Sequence, residues 1–179
     1  MRYLLLSLAF ILWHRIDLTA QKVSKYYSVE NARWADSLLS TLTLEEKIGQ
    51  LLMPRGNVSG KPHDVEKLKS WVRDYKIGGI VFFAAPPSVQ ARITNELQVK
   101  SKVPMFVGED FEWGLAMRLD STDRFPYAMS LGAMTGDDEL IEAMGREVGR
   151  QCKRMGVHIN YAPVVDVNNN IDNPVINFR

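Results

Sequence analysis

"VPMFVGEDFEWGLAMRLDS", residues 103–121, passes from an apolar run into a segment dense in carboxylates, with one arginine and one tryptophan. Charged side chains are almost never fully buried without partners. The charges after Val107 therefore belong either to a solvated loop or to the lining of a polar site at the end of a buried strand. The other apolar runs show which of these holds.

Three further runs have the same character: "QLLMP" (50–54), "GGIVFF" (78–83) and "INYAPVVDV" (159–167), with "PMFVG" (104–108) as the run already met. They are nearly continuous in apolar residues and do not alternate strictly, as expected of strands covered on both faces in a parallel sheet. Between them lie segments with apolar residues three and four apart, the pattern of amphipathic helices. These are residues 29–42, 43–50, 63–75, 88–101 and 137–156. Thr43 with Glu46 forms a capping box, Ser88 is a candidate N-cap, Asp137 and Asp138 suit the positive end of a helix dipole, and Gly156 is a natural stop.

Alternating strands and helices imply an α/β architecture with right-handed crossovers, either a doubly wound sheet or part of a (β/α)8 barrel. Polar residues gather after successive strands: Arg55 and Asn57, then Asp110 and Glu112, then Asp166 with Asn168 to Asn170. Barrel enzymes build their sites at those strand ends. The turn "MPRGNVSGK" (53–61) has neither a dinucleotide fingerprint nor a phosphate loop, so the barrel is preferred. A barrel needs eight strands and four are read here, so the expectation is the N-terminal half of a (β/α)8 TIM-type barrel, truncated. A complete small sheet domain is the alternative.

The 179 residues carry 22 basic and 21 acidic side chains, a net charge of +1, and no dense basic run, which argues against nucleic acid as a partner. Arg2 followed by the apolar run Tyr3–Trp13 has the proportions of a signal peptide rather than a membrane span, with Ala20 before a possible cut. The expected organisation is a signal peptide over 1–20 and a barrel portion over 21–179, secreted or periplasmic, with no membrane association after cleavage. A hydrophobic N-terminal helix of the mature domain is the competing reading. Cys152, the single cysteine, forms no internal framework and fits a buried helical position.

The ordered set "LTLEEKIGQLLM", "IGGIVFF", "DFEWGLAMR", "FPYAMSLGA" and "GVHINYAPVVDVNNNIDNPVINFR" resembles the N-terminal barrel domain of glycoside hydrolase family 3, in particular its bacterial β-N-acetylhexosaminidase branch. The likeness runs from roughly Ala35 to Arg179. It implies that Asp110, which opens a D-x-E-[GW]-G pattern, hydrogen-bonds hydroxyls of the terminal sugar. An ionised carboxylate is acceptor-only and takes two hydroxyls at once, through charge-assisted bonds. Arg179 stands where the family's arginine contacts the bound sugar, and Arg118 is either a second contact or the ion-pair partner of Glu112. Glu112, Trp113 and Asp166 are expected to be structural beside the site. Trp113 departs from the double glycine of many members and either packs on its loop or faces a sugar ring.

The same resemblance implies a retaining double displacement with an aspartate nucleophile on a later strand and a histidine acid/base after a K-H-F-P-G pattern, neither of which occurs in residues 1–179. No catalytic residue is therefore expected in this stretch, which alone should hydrolyse nothing. No metal or organic cofactor is implied, and the partner is a carbohydrate. Asp166, Asn168 and Asn170 begin a calcium-loop spacing, but Ile171 replaces its glycine. The other readings are a β-glucosidase or β-xylosidase of the same family, and a non-catalytic carbohydrate-binding module.

Overall fold

The computed structural model describes residues 28–58, 62–134 and 136–179. The proposed leader, His14 and the "VSGK" turn beyond Val58 lie outside the described residues. The chain divides into two compact units, Met1–Leu42 and Thr43–Arg179. Of the first, helix α1 (Val29–Ser40) is described; the Ser28 side chain caps it by accepting from the Asn31 amide at 3.0 Å. No described helix is long and apolar enough to cross a membrane.

The second unit opens with α2 (Leu44–Gln50), and its capping box is present: Thr43 accepts from the Glu46 amide and Glu46 accepts from the Thr43 amide. There follow β1 (Arg55–Gly56), α3 (Pro62–Ser70) running on into one π-helical turn at Trp71–Tyr75, and β2 (Gly79–Phe82). Next come α4 (Pro87–Lys100), β3 (Phe106–Glu109), a 3-10 turn at Leu115–Met117, the short α5 (Ala128–Gly132), α6 (Asp138–Met155) and β4 (Ile159–Asn160). Gly156, with φ of 70°, takes the left-handed conformation that ends α6.

All four strands are parallel, and their order in the sheet is β1-β2-β3-β4. Consecutive parallel strands joined by helical crossovers are the partial-barrel arrangement expected from the sequence, and they exclude the strand-order reversal of a doubly wound sheet. Several boundaries differ from expectation, three of them for a visible reason. The first strand is two residues long at Arg55–Gly56 instead of residues 50–54, because α2 and its closing turn reach Leu52. The last strand stops at Asn160 instead of residue 167; as an edge strand it pairs only with β3, and Pro163 has no amide to extend a ladder. Helix α4 starts one residue early, with Pro86 at the N-cap and Pro87 at N1, where a missing N–H costs nothing; Ser88 is not its cap.

Register fixes which residues share a face. Arg55 pairs with Val81, Val81 with Gly108 and Gly108 with Ile159, so one row crosses all four strands. The opposite face carries Ile80, Phe82, Val107 and, in the same alternation, Phe111, all buried against Leu68, Val72, Ile93, Leu97 and Val148 from the helices. Burying Phe82, Phe111 and Leu97 alone contributes several kcal/mol, at roughly 1.5–3 kcal/mol per large apolar side chain. The core therefore lies between sheet and helices. The row through Arg55 lies on the sheet's other face, where Phe106 and Tyr161 are exposed. In a barrel that face is the interior.

Two glycines bring α2 hard against the entry to β2. The Gly78 amide donates to the Gly49 carbonyl at 3.0 Å, and an added Cβ at Gly78 would lie 1.9 Å from the Gln50 carbonyl oxygen. This backbone-to-backbone contact sets where β2 starts, and hence where its far end delivers Phe83.

Candidate active site

The C-terminal ends of β1, β2 and β3 bring Arg55, Phe83 and Asp110 to one rim. Asp110 follows Glu109, the last residue of β3, and the loop beyond it turns back through the 3-10 segment. The Ala85 amide donates to the Arg118 carbonyl at 3.3 Å and Ala85 bridges Leu119 in parallel, which ties that loop to the end of β2. Arg118 is thereby held above the sheet: its Nη2 donates to Asp110 Oδ2 at 2.5 Å, and its guanidinium lies over the Phe83 ring, 4.6 Å from the centroid. Asp110 and Arg118 keep 26% and 21% of their side-chain surface, so the pair is sheltered yet open to a ligand. Asp110 Oδ1 makes no hydrogen bond among the described residues.

The arginine paired with Glu112 is Arg179, not Arg118. Arg179 Nε donates to both Glu112 oxygens, at 3.0 and 2.9 Å, and Glu112 is only 9% exposed. Further bonds from Arg179 Nη1 to the Val175 carbonyl and from its own amide to the Ile176 carbonyl (2.8 Å) shape the 175–179 turn. An aromatic row runs alongside. Trp113 meets Tyr127 edge to face at 4.8 Å, Tyr127 stacks with Phe178 at 5.9 Å, and Arg124 lies over both Trp113 and Tyr127. The β3 loop and the 175–179 turn are thus joined by an ion pair and an aromatic contact, and Trp113 packs within that junction.

Asp166 lies apart from these residues, exposed on the loop after β4, and makes no hydrogen bond or ion pair among the described residues. The asparagines near it build turns. Asn168 Oδ1 accepts from the Asn170 amide, Asn170 Oδ1 from the Asp172 amide, and Asn173 Oδ1 from the amides of Val175 and Ile176. His158 Nδ1 accepts from the Val107 amide at 3.1 Å, so this histidine serves the β3–β4 junction.

Sequence reasoning missed Glu109. It is wholly buried, on the helix side of the sheet next to Asp110, and accepts a hydrogen bond from Gln90 Nε2 of α4. Burial pushes its carboxyl up from 4.5 to about 7, while the Gln90 bond and the Arg118 charge pull it down and Asp110 pushes it up. Glu109 Oε2 and Gln90 Oε1 are both buried without a partner. One proton on Glu109 Oε2 directed at Gln90 Oε1 satisfies both, closing a two-bond acid–amide pair. A groove of about 560 Å3, lined by apolar residues such as Leu131, Met144, Val148 and Cys152, lies along α6 and does not include Asp110 or Arg118. Its size does not make it the site, because the converging polar groups are elsewhere.

Comparison with known proteins decides the family. The model of the glycosyl hydrolase family 3 N terminal domain matches residues 43–179. The chain belongs to glycosyl hydrolase family 3. It is 35% identical over 125 residues to beta-hexosaminidase A of Pseudoalteromonas piscicida, covering 63% of this chain and 21% of that protein. It is 27% identical over 164 residues to a beta-N-acetylglucosaminidase/beta-glucosidase of Cellulomonas fimi, covering 92% and 28%. Among solved structures, the family 3 beta-N-acetylglucosaminidase of Paenibacillus sp. str. FPU-7 aligns with a TM-score of 0.65 at 33% identity, over 76% of this chain and 27% of that one. This family 3 chain therefore spans between about a fifth and a third of the length of these relatives, and the α/β partial barrel is the fold they share.

Proposed function

We propose that the protein carrying this chain is a retaining β-N-acetylhexosaminidase that removes terminal β-N-acetylglucosaminide residues, and that this chain supplies part of the sugar-binding subsite. The observation that carries the reading is the Asp110–Arg118 pair at the C-terminal end of β3 on the barrel's inner face, in a family 3 chain whose relatives include beta-hexosaminidase A and a beta-N-acetylglucosaminidase. Arg118 fixes one oxygen of Asp110 and leaves Oδ1 to accept sugar hydroxyls. Arg179 reaches the sugar from the turn that Glu112 holds.

The nucleophile and the acid/base are assigned to residues outside 1–179. The reaction needs a carboxylate to attack the anomeric carbon while an acid protonates the leaving oxygen, and then water to release the sugar; no metal or organic cofactor takes part. The signal-peptide reading of residues 1–20 makes the protein secreted or periplasmic. A β-glucosidase activity is the second reading, supported by the beta-N-acetylglucosaminidase/beta-glucosidase relative that aligns with 92% of this chain.

The test is hydrolysis of paired chromogenic β-N-acetylglucosaminide and β-glucoside by the full-length protein and its Asp110→Ala variant. Preferred cleavage of the N-acetyl substrate, reduced at least 100-fold in kcat/KM by Asp110→Ala, is the expected outcome. Preference for the glucoside moves the assignment to the second reading. Sugar binding without hydrolysis of either substrate makes the protein a carbohydrate-binding module.

A further inference from the structure

Behind the Asp110–Arg118 pair lies an aromatic ring that no sequence motif pointed to. Phe82 ends β2 with its side chain buried on the helix side, so the alternation of the strand turns Phe83 to the inner face. Arg118 comes to Phe83 from the β3 loop: its guanidinium lies 4.6 Å from the ring centroid while its Nη2 donates to Asp110 Oδ2. Arg55, from the end of β1, places a second guanidinium over the same ring at 4.2 Å.

A bond from Nη2 alone leaves a guanidinium able to pivot about it. The Nε of Arg118 is buried without a hydrogen-bond partner, so the plane of the group is held by the surface it lies on. An aromatic face attracts a cation within about 6 Å of its centroid, more strongly where the two are withdrawn from water. Arg118 keeps only 21% of its side-chain surface. The same strand end also holds the main chain of Arg118, because the Ala85 amide donates to its carbonyl at 3.3 Å. Phe83 and Ala85, two residues apart, thus fix the guanidinium and the backbone of one arginine, and that arginine fixes Oδ2 of Asp110.

We propose that Phe83 is a positioning residue for the Asp110 subsite: its ring face seats the Arg118 guanidinium, which in turn holds Asp110 with Oδ1 directed at the sugar. Phe83 acts through Arg118 and not by touching the sugar, so its loss weakens the binding of N-acetylglucosaminide and glucoside alike. The proposal rests on the reading of the Asp110 rim as a sugar-binding subsite, and it adds the residue that orients that rim.

The experiment uses the full-length protein and reads kcat/KM on a chromogenic β-N-acetylglucosaminide beside the affinity for N-acetyl-D-glucosamine by isothermal titration calorimetry. Phe83→Leu should weaken both about tenfold, and Phe83→Tyr, which keeps an aromatic face, should stay within about twofold of wild type. Replacing Phe83 by mono-, di- and trifluorinated phenylalanines keeps the shape even where the leucine variant does not fold, and both quantities should fall stepwise as fluorine withdraws charge from the ring face. In an Arg118→Met background, Phe83→Leu should change neither by more than about twofold, because the residue it acts through is gone. An undiminished loss in that background overturns the proposal, since the ring then acts through Arg55 or through packing alone. Fluorination without effect overturns it too. Absence of hydrolysis with the same coupling in calorimetry supports the role of Phe83 and sinks the hexosaminidase reading, whereas sugar binding indifferent to Asp110→Ala sinks both.

Discussion

Replacing Glu109 by glutamine isolates the energetic consequence of a carboxyl buried between the sheet and α4. In the folded state this carboxyl is pushed from 4.5 to about 7 by burial, so the folded protein holds the proton more tightly than the unfolded chain does. The stabilisation is fully present below about pH 4.5 and is lost as pH rises through about 7; above that, the folded state carries a buried carboxylate. At about 1.4 kcal/mol for each tenfold change in proton affinity, the total is about 3 kcal/mol. Glu109→Gln keeps the shape and closes the same two-bond pair with Gln90, but has no proton to lose. The expected difference in unfolding free energy, variant minus wild type, is near zero at pH 4.5 and grows to about 3 kcal/mol in the variant's favour at pH 8. Urea unfolding of the full-length protein at several pH values measures it, with pulse proteolysis as a second readout if other domains melt first. Titrations elsewhere cancel in the difference. A difference constant within about 0.5 kcal/mol from pH 4.5 to 8 refutes the reasoning, because Glu109 would then have the same proton affinity folded and unfolded.

Gly78→Ala places a methyl group 1.9 Å from the Gln50 carbonyl oxygen, and backbone cannot swing aside as a side chain does. A loss of about 3 kcal/mol or more is expected in chemical denaturation, and a loss below about 1 kcal/mol contradicts the close contact. For Glu112 and Arg179, a double-mutant cycle with alanine at each position should give a coupling of about 1–2 kcal/mol in stability, as for partners in direct contact. Additive effects would mean that the 175–179 turn does not depend on the pair.

The sheet was legible because its strands are apolar on both faces and alternate with helical periodicity, and Thr43 with Glu46 announced the start of α2. Strand limits were less so. Residues 50–52 are apolar enough for a strand, but their amide bonds close α2, and only register shows that the ladder begins at Arg55. Asp110 and Arg118 could be found from the strand-end pattern and the family motif, while the exchange of ion-pair partners needed the folded loop. Glu109 was hidden by its neighbours: among so many carboxylates it reads as one more loop charge. The signal that exposes it is phase. Glu109 alternates with Val107 and Phe111, and Gln90 shares the i, i+3, i+7 face of α4 with Ile93 and Leu97, so acid and amide were already aimed at each other.

The two ion pairs of the rim divide the work through the geometry of guanidinium. Each arginine has five N–H donors. Arg118 spends one on Asp110 Oδ2, and its Nε is buried without a partner. Arg179 spends Nε on Glu112 and Nη1 on the Val175 carbonyl, which leaves Nη2 uncommitted. Asp110 Oδ1 and Arg179 Nη2 are therefore left for a ligand without breaking either pair. Sugar contact by Arg179 and its structural bond to Glu112 are compatible roles of one side chain. In the function proposed above, the subsite is held before the sugar arrives, and little of the binding energy has to be spent on ordering it.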